Sequence, residues 1–147
     1  MPLDSDPLSR FILLVEDNPD DEGLALRALK KSGVTHPVVI ARDGEEASRK
    51  VAGFTNTETP SLILLDLKLP KLSGMEVLEK IRTNEATKLV PVVVLTSSDE
   101  AVDVKRCYAL GANAFVRKPV DFDEYVAAVN SIAQFWVMRN LIIAPGR

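Results

Sequence analysis

Apolar residues in this chain fall in short unbroken runs, and between the runs they recur at helical spacing. The runs are FILLVE (11–16), PVVIA (37–41), SLILLD (61–66), PVVVLT (91–96) and AFVRK (114–118). Runs this short, apolar throughout rather than alternating, read as strands covered on both faces. The segment PDDEGLALRALKKSG (19–33) reads as a helix, with acids in its first turn, bases in its last and Gly33 as its stop. DGEEASRKVAGF (43–54) opens with Asp43 three residues before Glu46, a capping box that satisfies free backbone donors at a helix start. SGMEVLEKIRTN (73–84), a segment from about Asp99 to Leu110, and DFDEYVAAVNSIAQFWVMRN (121–140) supply the remaining helices. Strands alternating with helices in this way predict an α/β fold, a doubly wound parallel sheet.

Composition narrows the function classes. A chain of 147 residues is expected to form one domain, 1–147, with its core over about 11–138. The net charge of −3 and the lack of a basic stripe argue against a nucleic-acid partner. No apolar stretch has the length of a membrane span. MPLDSDPLSR (1–10) is acidic and proline-bearing where a signal peptide would be basic and then apolar, so a cytoplasmic location is expected. The lone Cys107 excludes an internal disulfide and a thiolate metal cluster, and reads as a small helical residue.

Candidate chemistry collects at strand ends. In open α/β sheets ligands bind beyond the carboxyl ends of the strands. Asp66 closes the third run, and Glu16 and Asp17 close the first. If those strands are neighbours, three carboxylates meet, and like charges raise one another's pKa. A hard divalent cation, Mg²⁺ or Mn²⁺, would relieve the repulsion. The bland alternative is that these acids only cap the helices that follow. Thr96 ends the fourth run, and Lys118, followed by Pro119, ends the fifth. A free carboxylate, metal-binding acids, a hydroxyl and an ammonium on one rim are the inventory for phosphoryl transfer onto an aspartate.

These residues sit in LLVEDN, LILLDLKLPKLSGMEVL, PVVVLTSS and GANAFVRKP, and with them the chain resembles the receiver domain of two-component response regulators from about Phe11 to Trp136. The resemblance implies a flavodoxin-like (βα)5 fold with strand order 2-1-3-4-5. It implies that Asp66 is the phosphoacceptor and that Asp17 and Asp66 bind the metal directly. Glu16 would act through water and Lys68 through its backbone carbonyl. Thr96 and Lys118 would grip the phosphoryl group, Lys118–Pro119 would be cis, and Phe115 would be the aromatic that turns inward as the Thr96 hydroxyl moves. The implied partner is a sensor histidine kinase; EDNPDD, the Phe-Trp pair and the apolar tail resemble the branch associated with phytochrome-type kinases. Since no output domain follows Arg147, the expectation is a single-domain regulator that acts by protein contact or relay, rather than an enzyme.

Two departures stand out. Glu16 replaces the aspartate of many receivers, and Ser98 offers no carboxylate to orient water, so slow self-dephosphorylation is expected. Three competing functions fit less well. An aspartyl-phosphate hydrolase of the haloacid-dehalogenase type would want an acid where Lys68 stands. A flavin or nucleotide module would want a glycine-rich loop where VEDNPDDEG is acidic. A non-phosphorylated interaction domain would be expected to have lost some of Asp17, Asp66, Thr96 and Lys118.

The last helix carries two apolar stripes, more than a surface helix needs. Phe122, Val126, Val129, Ala133 and Trp136 form a natural core stripe. Tyr125, Ala128, Ile132 and Phe135 form a second, read as an interface, with Tyr125, Ile132 and Phe135 at a homodimer contact. The alternative is that LIIAP (141–145) folds back over that stripe.

Overall fold

The computed structural model describes residues 10–98 and 100–142. Its strands are β1 (Ile12–Val15), β2 (Val38–Ala41), β3 (Leu62–Leu65), β4 (Val92–Thr96) and β5 (Ala114–Arg117). Its helices are α1 (Pro19–Lys31), α2 (Gly44–Gly53), α3 (Gly74–Thr83), α4 (Ala101–Ala109) and α5 (Phe122–Trp136). All strand pairs are parallel, in the order β2-β1-β3-β4-β5. The fold is the doubly wound (βα)5 architecture that the sequence implies.

Successive side chains of a strand point to opposite faces, so each central strand feeds two cores. Leu13, Val15, Ile63, Leu65, Val92 and Val94 pack on one face with residues of α2 and α3 and with Cys107 of α4. Ile12, Leu14, Leu62, Leu64, Val93 and Leu95 pack on the other with α1 and α5. The central strands β1, β3 and β4 are buried throughout, whereas the edge strands β2 and β5 are mostly half-buried. Of the two edge strands, β5 shows the difference in its sequence, ending in the exposed Arg117.

Side-chain caps start four of the helices. Asn18 accepts from the N–H groups of Asp20 and Asp21, Asp43 from Glu46, Ser73 from Glu76, and Asp121 from Glu124. Each satisfies donors that a helix start leaves open. Helix α4 has no side-chain cap bond, and its buried residue is Cys107.

Helix α5 corrects two expectations. It ends at Trp136 rather than Asn140, because the N–H groups of Arg139 and Asn140 both close on the Phe135 carbonyl in a terminal turn. Its buried face is Tyr125, Val129, Ile132 and Ala133, so Tyr125 and Ile132 lie in the core beneath α5 rather than at an interface. Phe122, assigned to the core stripe, is 54% exposed, and Phe135 is likewise 54% exposed. The reason is helical phase: the buried arc runs between the two stripes, taking Val129 and Ala133 from one and Tyr125 and Ile132 from the other, and leaves Phe122 and Phe135 outside. Residues 141 and 142 are described and the rest of LIIAP lies outside the described residues. Among the described residues, no helix is long and apolar enough to cross a membrane.

Candidate functional site

Strand register assembles the site. Because Val15 pairs with Leu65, the residues that follow, Glu16 and Asp66, emerge side by side at the carboxyl edge. The Asp66 N–H donates to the Val15 carbonyl at 3.1 Å, and the Glu16 N–H to that of Ala41 at 3.0 Å. On the other side Thr96 pairs with Arg117, and the Lys118 N–H donates to the Thr96 carbonyl at 2.7 Å. Four strand ends thus converge at one point.

At its centre is Asp66, only 6% exposed. Its Oδ1 accepts from the Thr96 hydroxyl at 2.8 Å and from the Lys68 N–H at 3.2 Å. Its Oδ2 accepts from Lys118 Nζ at 3.0 Å. Thr96 is fully buried, and its hydroxyl finds its partner in Asp66. Lys118 Nζ also donates to Glu16 Oε1 at 2.6 Å and to Asp21 Oδ2 at 2.9 Å. The Lys118–Pro119 peptide is trans, contrary to expectation; X–Pro isomers differ by only about 0.5–1 kcal/mol, so the ring tolerates either.

Electrostatics follow from this crowding. Glu16 is 2% exposed, and its carboxyl is pushed up to about 7, chiefly by burial and opposed by the Lys118 hydrogen bond. Burial alone would lower Lys118; its hydrogen bonds to Glu16 and Asp21 outweigh that and raise it further above its ordinary value. The two directions are consistent: burial outweighs the one ammonium at Glu16, while several acids together hold the proton on Lys118. Glu16, Asp17 and Asp66 each offer a carboxylate oxygen within 4.8 Å of the others. Asp17 is the exposed member. Three hard oxygen donors of net negative charge suit Mg²⁺ or Mn²⁺.

The other expected residues lie where their elements put them. The Lys68 side chain is exposed, and its backbone enters the site. Phe115 is half-buried against the α2–α3 core, with its N–H donating to the Tyr108 hydroxyl at 3.2 Å. The Ser98 hydroxyl donates to Asp103 Oδ2 at 2.6 Å. Asp21 is the member that sequence reasoning missed, because an acid in a first helical turn already has an explanation in the helix dipole.

The loop between β3 and α3 is clamped from two sides. A Cβ on Gly74 would overlap the Asp66 carbonyl and Leu67 Cα, and one on Gly44 would overlap the Leu72 carbonyl. The Gly44 N–H donates to the Pro70 carbonyl at 3.1 Å, and Lys71 Nζ pairs with Asp43 at 3.5 Å. Lys71 holds a left-handed φ of 71°, which costs a non-glycine residue energy.

This sheet order, with an acidic site at its carboxyl edge, defines a response regulator receiver domain. The family model for that domain matches residues 12–130, and the chain belongs to the family. Among its relatives, response regulator Rcp1 of Synechocystis is 40% identical over 131 residues, covering 87% of this chain and 89% of Rcp1. The crystal structure of the phosphorylated cyanobacterial phytochrome response regulator RcpA superposes with a TM-score of 0.83 at 39% identity, over 90% of this chain and 97% of that one. The Mn²⁺-bound form of Rcp1 superposes with a TM-score of 0.83 at 38% identity, over 93% of this chain and 99% of that one.

Proposed function

We propose that this chain is a phosphorylation switch in which Asp66 accepts a phosphoryl group from a sensor histidine kinase in a Mg²⁺-dependent (or Mn²⁺-dependent) reaction. One observation carries the proposal: both oxygens of a buried strand-end aspartate are gripped, one by Thr96 and one by Lys118. A carboxylate buried merely for packing would not need an acidic cluster around it.

In the reaction, an Asp66 carboxylate oxygen attacks phosphorus and the P–N bond to the donor imidazole breaks. The bonding pair leaves with the imidazole, which picks up a proton. Lys118 and the Thr96 hydroxyl redirect hydrogen bonds from Asp66 to the new phosphoryl oxygens, where charge develops. Glu16, Asp17 and Asp66 would hold the cation, Glu16 through water, with the Lys68 carbonyl as a further ligand. When bound, the cation supplies positive charge against the carboxylates and the phosphoryl group.

A phosphoryl group adds nearly two negative charges. As Thr96 shifts toward it, Phe115 turns inward, and the surface of α4, β5 and α5 changes for protein contact or onward relay. Ser98, engaged by Asp103, leaves water without a positioned base, so the acyl phosphate is long-lived. The phytochrome association of RcpA favours a phytochrome-type kinase as donor. We place the switch in the cytoplasm, with no nucleic-acid role. It pairs with a second copy through the exposed side of α5 at Phe135. The proposal is tested by mixing the chain with an autophosphorylated bacteriophytochrome-type kinase and Mg²⁺. Label should pass to the wild-type chain and not to Asp66→Asn; label passing equally to the variant overturns the assignment.

A further inference from the structure

All three N–H bonds of the Lys118 ammonium are engaged, by Glu16, Asp66 and Asp21. Glu16 and Asp66 reach it from strand ends. Asp21 comes from the first turn of α1, and its carboxylate is not needed to start that helix, which Asn18 caps. Nor does Asp21 belong to the carboxylate set grouped tightly enough for a metal. Its turn is pinned from behind, because the buried Tyr125 of α5 donates its hydroxyl to the Asp21 carbonyl at 3.4 Å.

A lysine ammonium is a point charge on a flexible stem, and its aim depends on what holds it. When a phosphoryl group arrives, the N–H given to Asp66 must turn to a new oxygen while the other two stay in place. We propose that Asp21 is a positioning residue for this step: it holds one Lys118 N–H from α1, so that the donor released by Asp66 points at the transferred group. The inference rests on Asp66 being the phosphoacceptor.

Asp21 is also an acid near an arriving anion, so the two effects must be weighed. Its side chain is 27% exposed and its charge is paired with Lys118, so its repulsion is screened and worth about a few-fold in rate. Disordering a preorganised charged donor costs more, about tenfold to a hundredfold or above. Positioning outweighs repulsion.

The test is the initial rate of phosphorylation by acetyl phosphate, measured at saturating Mg²⁺ and donor, with the Mg²⁺ affinity measured separately. Asp21→Asn should slow the rate at least about tenfold while Mg²⁺ affinity moves by less than about threefold. Asp21→Glu should restore most of the rate. Asp20→Asn removes the same charge from an exposed neighbour in that turn and should stay within about twofold of wild type. An Asp21→Asn rate equal to or above wild type overturns the inference. So does an equal loss in Asp20→Asn, or a failure of Asp21→Glu to recover. If the wild-type chain takes no label, the phosphoacceptor reading itself falls, and this inference with it.

Discussion

Glu16 and Lys118 lie 2.6 Å apart, yet both hold their protons more tightly than usual. For Glu16 the consequence is an inverted pH dependence. Its carboxyl titrates near 7 in the folded chain and near the ordinary 4.5 when unfolded. Between those values the folded state binds more protons, so this group's contribution to stability falls as pH rises through that window. The metal-free protein should therefore gain stability from Glu16 on acidification from about pH 8 to about pH 6. Glu16→Gln should flatten that part of a melting profile; an unchanged slope in the variant would contradict the assignment. Much at this scale was legible beforehand. Asp66, Thr96 and Lys118 each terminate an apolar run, and a polar residue at such a place needs a reason. Asp21 was not legible, since its partner lies nearly a hundred residues away and only the fold reveals it.

At the scale of elements, the loop from β3 to α3 owes its course to what its neighbours lack. Gly74 leaves room for the Asp66 carbonyl, and a methyl there meets backbone rather than a yielding side chain. Gly74→Ala should destabilise the fold by about 1–3 kcal/mol, as overpacking does, and should also weaken Mg²⁺ binding by shifting Asp66. Urea unfolding and metal titration read the two effects; wild-type values in both would show that the loop is free to move. The sequence pattern located this loop and the Asp43 cap of α2 beside it, because a cap acts within a few residues. It did not foresee the trans Lys118–Pro119 bond, since the isomers differ too little for local sequence to decide.

At the scale of the whole molecule, α5 shows how far pattern reading reaches. Alternation of runs and periods established a layered α/β fold, but two apolar stripes on one helix left its rotation undetermined. Packing placed Tyr125 and Ile132 inward and left Phe135 outside, in edge contact with Trp136 at 5.0 Å between ring centres. If copies pair through this side, Phe135→Glu should shift the chain toward monomer in sedimentation, with its melting temperature little changed. A dimer that survives the substitution would move the interface elsewhere. Tyr125→Ala and Ile132→Ala should instead destabilise the monomer by about 2–5 kcal/mol, because each empties part of the core.

All of these effects converge on whether the gripped carboxylate is the one that reacts. The most direct measurement is peptide-level mass mapping of the chain after incubation with acetyl phosphate and Mg²⁺. A phosphoryl increment confined to the peptide containing Asp66, lost in Asp66→Asn and lost when the metal is chelated, is the expected result. An increment on another residue, or one that forms equally without metal, would contradict the reading of this site as a metal-assisted aspartyl-phosphate switch.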